Sequence, residues 1–342
     1  MHGAPLTMDQ PVTEPANAGG GLRRNPVSGK LSIVAPGRAA RPRDPRAARA
    51  AATQSGGEAR TAAAKPAAVG PDAPTSCPFC PGNETSTPPE IEARRPAGGA
   101  PDTPGWSLRV VPNKYPALAG LHEVIVHSPV HGAELEDLAP HDLTAAIACY
   151  QRRIGAQLAG GATAATLVVN RGLKSGASLE HPHAQLFATP VVPSLLQDEL
   201  MEFQRHRNRY GTCVLCDEAG GASDRLVFDG DYVAWVPAAP RFQYELWLAP
   251  AEHADDVRTA DPAALGAALR RALIAVKTAT AGAPSNLWIH TAPADLRGPF
   301  HWHVEIAPRL SGIAGFELGS DIAIVSVDPL VAAAALRAAA PG

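Results

Sequence analysis

The feature that most constrains this chain is an internal repeat that begins at residue 77. Each half carries the same parts in the same order. A CxxC pair comes first, Cys77/Cys80 and then Cys213/Cys216. An apolar strand follows and runs to a proline and a histidine: "HEVIVHSPVH" to His131, then "YELWLAPAEH" to His253. Next are a segment with apolar residues at three- and four-residue spacing, which predicts a helix, and a β-rich strand, "ATLVVN" or "NLWIH". Each half closes on His-x-His, "HPHAQLFATP" and "FHWHVEIAPRL". His131 and His181 are 50 residues apart, and His253 and His301 are 48 apart. The pattern predicts an α+β protein: a duplicated unit of two mainly antiparallel sheets, each with a long helix.

The expected organisation is a disordered tail over 1–25, an N-terminal catalytic half over 26–200 and a C-terminal half over 201–335. Residues 39–75, rich in Ala, Pro and Arg without periodicity, read as a low-complexity insertion in the first half. A formal net charge of −3 argues against nucleic acid and anionic membrane as partners. There is no basic-then-apolar leader and no apolar run long enough to cross a bilayer, so a cytoplasmic location is expected. Cys149 stands alone in the first helical segment and reads as a buried free thiol.

Two thiolates on a CxxC need two further ligands to complete a tetrahedral zinc site. The repeat offers them twice: Cys77, Cys80, His131 and His181, then Cys213, Cys216, His253 and His301. Both sites would be closed and structural. With His181 tied to metal, His183 stands two residues on, on the same face of a strand, as a free imidazole and candidate nucleophile. Phosphorus is a suitable target, because Gly176, Ser178 and Gln185 are suited to phosphoryl oxygens. Gln185 cannot act as a general acid or base, so a covalent intermediate would wait for an acceptor other than water. In the second half His303 is followed by Glu305 in place of the glutamine, so that half reads mainly as scaffold.

His-Pro-His-x-Gln after Gly-x-Ser resembles the active site of the galactose-1-phosphate uridylyltransferase family, a branch of the histidine-triad superfamily. The resemblance covers about residues 22–335. It implies His183 as nucleophile, with catalytic contributions from Gln185 and Ser178. It implies substrate contacts from Arg38 and Arg41 in "PGRAARP", Asn113 in "VVPNKYPAL", and Asn170, Gly176, Ser178 and Gln185 in "VVNRGLKSGASLEHPHAQ". Some members hold the second metal, iron in one alternative, with a glutamate and three histidines, matching Glu199, His290, His301 and His303. The second CxxC instead resembles the branch with two cysteine-containing zinc sites, which includes ADP-glucose phosphorylase, and that ligand set is preferred. The C-terminal "AGFELGSD" also resembles that branch; Ser320 and Asp321 stand near positions that contact hexose phosphate elsewhere.

These features together point to a nucleotidylyltransferase of galactose and carbohydrate metabolism that acts on a nucleotide sugar and a sugar 1-phosphate. The reading favoured from sequence is ping-pong uridylyl transfer from UDP-glucose to galactose 1-phosphate. The alternatives are an ADP-glucose phosphorylase, a histidine-triad nucleotide hydrolase or a zinc-stapled binding module. Family members are often dimeric, so a homodimer is expected.

Overall fold

The computed structural model describes residues 20–40 and 77–342. Arg41 and nearly all of the 39–75 segment lie outside the described residues, as do residues 1–19 of the expected tail. The end of that tail is ordered: β1 (Gly21–Arg24) pairs antiparallel with β2 (Leu31–Val34). The chain then forms β3 (Glu92–Arg94), β4 (Leu108–Pro112), β5 (His122–Val126), helix α1 (Pro140–Ala159), β6 (Ala164–Arg171) and β7 (His183–Thr189). Helices α2 (Ser194–Tyr210) and α3 (Val214–Gly220) lead into β8 (Leu226–Phe228), β9 (Tyr232–Trp235) and β10 (Leu246–Pro250). Helix α4 (Pro262–Ala279), β11 (Ser285–His290) and β12 (His303–Pro308) complete the repeat. Last come α5 (Gly315–Ser320), β13 (Ile322–Val325), which joins β2 in parallel, and α6 (Pro329–Ala339).

The antiparallel sheets of the two halves are continuous. Their strand order, β3-β4-β5-β7-β6-β11-β12-β10-β9-β8, reads outward from the centre as the same series twice. The join is an antiparallel β6–β11 pairing with Asn170 opposite Asn286. Each half would otherwise end on an unpaired strand edge, and here the two edges satisfy one another. Helices α1 and α4 pack together over one face of this sheet, where a Cβ on Gly266 would lie 3.3 Å from Leu143 Cγ. No helix among the described residues is long and apolar enough to cross a membrane.

One expected boundary is displaced. Residues 200 and 201 fall inside α2, an unbroken helix that buries Leu196, Glu199 and Phe203 at three- and four-residue spacing.

Strand β5 explains how the site is placed. All five of its residues are buried, because both faces of the sheet are covered here. Ile125 points into the main core beneath α1, whereas Val124 and Val126 point to a smaller core with Cys77, Phe79, Cys80 and Trp106. The first CxxC segment therefore caps the sheet face opposite the helices.

Candidate active site and metal clusters

On that face β7 presents His183, Gln185 and Phe187, opposite Val126, Val124 and His122 of β5. His181, just before the strand, donates from Nε2 to the Ser128 carbonyl at 2.8 Å. Its Nδ1 is thereby left unprotonated, 3.7 Å from Cys77 Sγ and 3.6 Å from Cys80 Sγ. His131 Nδ1 lies 3.4 Å from Cys80 Sγ. Tetrahedral zinc with bonds of about 2.0–2.3 Å needs ligand atoms roughly 3.3–3.8 Å apart, so this set fits the ion. Burial and the neighbouring Cys77 push the Cys80 thiol up to about 11.

His183 Nδ1 donates to the His181 carbonyl at 2.9 Å. That bond fixes the tautomer and leaves the lone pair on Nε2. Burial holds the imidazole below its ordinary pKa, which keeps it neutral, although the bond to the His181 carbonyl opposes the shift. The Phe79 ring packs 5.1 Å from it and limits its rotation. A neutral, oriented imidazole with a bare Nε2 is a competent nucleophile.

The rest of the predicted set divides. Gln185 is half-buried, with Oε1 2.9 Å from His122 Nε2, and Asn113 Nδ2 lies 3.1 Å from the same nitrogen. Asn170 accepts from Asn286 Nδ2 at 2.7 Å across the central seam, and Asn286 also donates to the Ser175 carbonyl at 2.8 Å. This pins the loop before His181, in which Gly176 adopts φ 89° and ends the short turn Leu173–Ser175. Ser178 is exposed on that loop. Arg38 is exposed too, in the turn Pro36–Ala40 after β2 on the three-stranded sheet. Sequence reasoning missed His122 and Asn286, which sit inside segments that read as plain strands; a polar residue opening an otherwise apolar strand was the available signal.

The second half repeats the first Cys/His cluster. Cys216 Sγ lies 3.7 Å from His253 Nδ1 and 3.3 Å from His301 Nδ1, and Cys213 Sγ lies 3.9 Å from His301 Nδ1. This CxxC begins a helix, with Cys213 as the N-cap of α3. His303 Nδ1 donates to the His301 carbonyl at 3.2 Å, as His183 does to His181. Its Nε2 faces a separate buried group formed by Glu199, His290, His303 and Glu305. Of the two ligand sets treated as alternatives, the cysteine set comes together whole, whereas the Glu199, His290, His301 and His303 set does not. His301 belongs with the cysteines, and Glu305 completes the other group. There His290 Nδ1 is 2.9 Å from Glu199 Oε1, without hydrogen-bond geometry. The facing atoms of Glu199, His290, His303 and Glu305 converge without hydrogen bonds, an arrangement that suits a cation with nitrogen and oxygen ligands. Arg241 pairs with the other Glu305 oxygen at 2.7 Å.

Comparison with known proteins agrees with this geometry. Residues 113–193 match the family described as galactose-1-phosphate uridyl transferase, N-terminal domain. An ADP-glucose phosphorylase from Arabidopsis thaliana is 31% identical over 352 residues, 92% of this chain and 92% of that protein. A galactose-1-phosphate uridylyltransferase from Thermotoga maritima is 28% identical over 183 residues, 49% of this chain and 58% of its own. The crystal structure of an Arabidopsis thaliana ADP-glucose phosphorylase with bound ADP-glucose superposes with a TM-score of 0.79 at 28% identity, covering 94% of this chain and 98% of that one. The chain is a nucleotidyltransferase, and it belongs to the galactose-1-phosphate uridylyltransferase family, close to the branch that includes ADP-glucose phosphorylase.

Proposed function

We propose that this protein is an ADP-glucose phosphorylase, transferring an adenylyl group from ADP-glucose to inorganic phosphate through a covalent histidine intermediate. The observation that carries this reading is the span of the sequence similarity. It runs the length of the chain with the phosphorylase and over about half of it with the Thermotoga uridylyltransferase. The order of preference drawn from sequence, with uridylyl transfer to galactose 1-phosphate first, is thereby reversed. In the C-terminal segment Ser320 Oγ donates to the Phe316 carbonyl at 2.7 Å, and Asp321 pairs with Lys30 at 2.7 Å.

In this mechanism His183 Nε2 attacks the α-phosphorus of ADP-glucose, and the bond to the bridging oxygen breaks to release glucose 1-phosphate. As the imidazole gains positive charge, the His181 carbonyl on Nδ1–H stabilises it. A phosphate oxygen then attacks the same phosphorus, giving ADP and free His183. Gln185 donates an amide proton to the phosphoryl oxygens, and Ser178, Gly176 and the Asn170-anchored loop line the phosphate path. Asn113, Arg38 and Arg41 are assigned to the nucleotide end. Zinc in the two Cys/His clusters would be structural, holding the loops that carry His181 and His301. The iron alternative falls on the Glu199, His290, His303 and Glu305 group.

The test is a product assay on the purified protein with two substrate pairs, ADP-glucose with phosphate and UDP-glucose with galactose 1-phosphate. The first pair should give the higher kcat/KM, by about ten-fold or more, a gap of about 1.4 kcal/mol in transition-state binding. Faster turnover of the second pair would restore the uridylyltransferase reading.

A further inference from the structure

The strand facing Gln185 carries a histidine that this mechanism does not use. His122 opens β5, is 6% exposed, and stacks on Phe187 with ring centroids 3.9 Å apart. The Ala117 N–H donates to its Nδ1 at 3.2 Å. A ring nitrogen that accepts carries no proton, so the proton of neutral His122 sits on Nε2. Burial lowers the pKa of this imidazole and keeps it neutral, while the bond to Gln185 works the other way.

The consequence falls on Gln185. The two ends of a carboxamide are nearly alike in shape, so its own packing does not decide which end turns where. His122 Nε2–H, 2.9 Å from Oε1, decides it: the amide oxygen is turned towards His122 and the NH2 group away from it. Asn113 is oriented as well. Its Oδ1 accepts from the Tyr115 N–H at 2.8 Å, so its NH2 faces the imidazole. With the Nε2 proton committed to Gln185, Asn113 finds no acceptor there and keeps its hydrogens for a ligand.

We infer that His122 is a positioning residue for nucleotidyl transfer, one that sets the Gln185 amide so that its NH2 group, and not its carbonyl, meets the phosphoryl oxygens. A carbonyl oxygen in that place would repel the charge that develops on phosphorus. The inference rests on the role given to Gln185 above and supplies the reason that role is available.

A double-mutant cycle tests it on the full chain: wild type, His122→Ala, Gln185→Ala and the double variant. Single-turnover formation of the nucleotidyl-enzyme is read with both ADP-glucose and UDP-glucose, so the identity of the base does not affect the outcome. Gln185→Ala should slow this step roughly 10²-fold, as loss of one donor to a developing oxyanion does. His122→Ala should be nearly as slow, and the double variant no slower than Gln185→Ala alone. His122→Gln reaches the position of Nε2 with an amide donor and should recover to within about ten-fold of wild type, whereas His122→Asn, whose amide reaches only as far as Nδ1, should not. Zinc content and thermal midpoint are measured for every variant, and the Gln and Asn pair carries the test if the alanine variant fails to fold. Additive losses, or His122→Gln as slow as His122→Asn, would overturn the inference and leave Gln185 untouched. A silent Gln185→Ala would overturn the role of Gln185 and this inference with it.

Discussion

His181 and His183 are separated by one proline, and they differ in which ring nitrogen is left bare. His181 spends Nε2 on the Ser128 carbonyl and turns Nδ1 to the cysteines; His183 spends Nδ1 on the His181 carbonyl and leaves Nε2 bare. Substitutions at the two positions should therefore fail differently. His183→Gly should keep its zinc and its thermal midpoint while losing nucleotidyl transfer. His181→Ala should lose one zinc equivalent and stability first, with activity falling as a result. Mass spectrometry after brief exposure to nucleotide sugar should find one acid-labile nucleotidyl group per chain, in the peptide spanning His181 to Gln185. An adduct at His301 or His303 would place the chemistry in the wrong half. That His181 would lie beside the cysteines with His183 just beyond it was legible in sequence, because it follows from a two-residue strand period and an incomplete CxxC. The part of His122 was not legible. It depends on the Ala117 N–H approaching its ring across a turn, and spacing alone does not encode such a contact.

At the scale of elements, the strong periodicities read true and the boundary did not. Helices α1 and α4 and the strands around each His-x-His carry clean apolar patterns and lie where those patterns put them. Helix α2 was missed because it is highly polar, with three charged arginines and a histidine in its last six residues and few apolar positions to set a stripe. It nonetheless crosses the expected division and delivers Glu199 to the second half's buried group. Packing between α1 and α4 is close at Gly266, where the neighbouring Leu143 leaves no room for a branched side chain. Gly266→Val should cost about 1–3 kcal/mol in chemical denaturation through overpacking, with an unchanged denaturant slope. A variant as stable as wild type would show that the two helices separate at little cost.

For the whole molecule, the repeat predicted in sequence is a repeat in space, although sequence could not reveal that the halves share one sheet. Sequence neighbours such as β4 and β5 or β6 and β7 pair directly, whereas β5–β7 pairs across α1 and β6, and the β6–β11 pairing joins segments more than a hundred residues apart; neither has a local signal. Each half carries its own Cys/His cluster, so Cys77→Ser and Cys213→Ser should each remove one zinc equivalent by metal analysis. Each should also destabilise the fold, since structural zinc binding contributes on the order of 10 kcal/mol to folding. Full zinc content in either variant would contradict the ligand sets drawn above.

The antiparallel seam has a consequence for ancestry. Two like units joined edge to edge about a two-fold axis have the geometry by which separate identical chains close a dimer. A forerunner of half this length could have built the same sheet by pairing β6 with a copy of itself, and it would then have carried two equivalent nucleophiles. Covalent linkage removes that enforced equivalence. Once both units are encoded in tandem, the histidine at position 303 is free to take a place in a buried charged cluster, and the proposed chemistry asks only for His183.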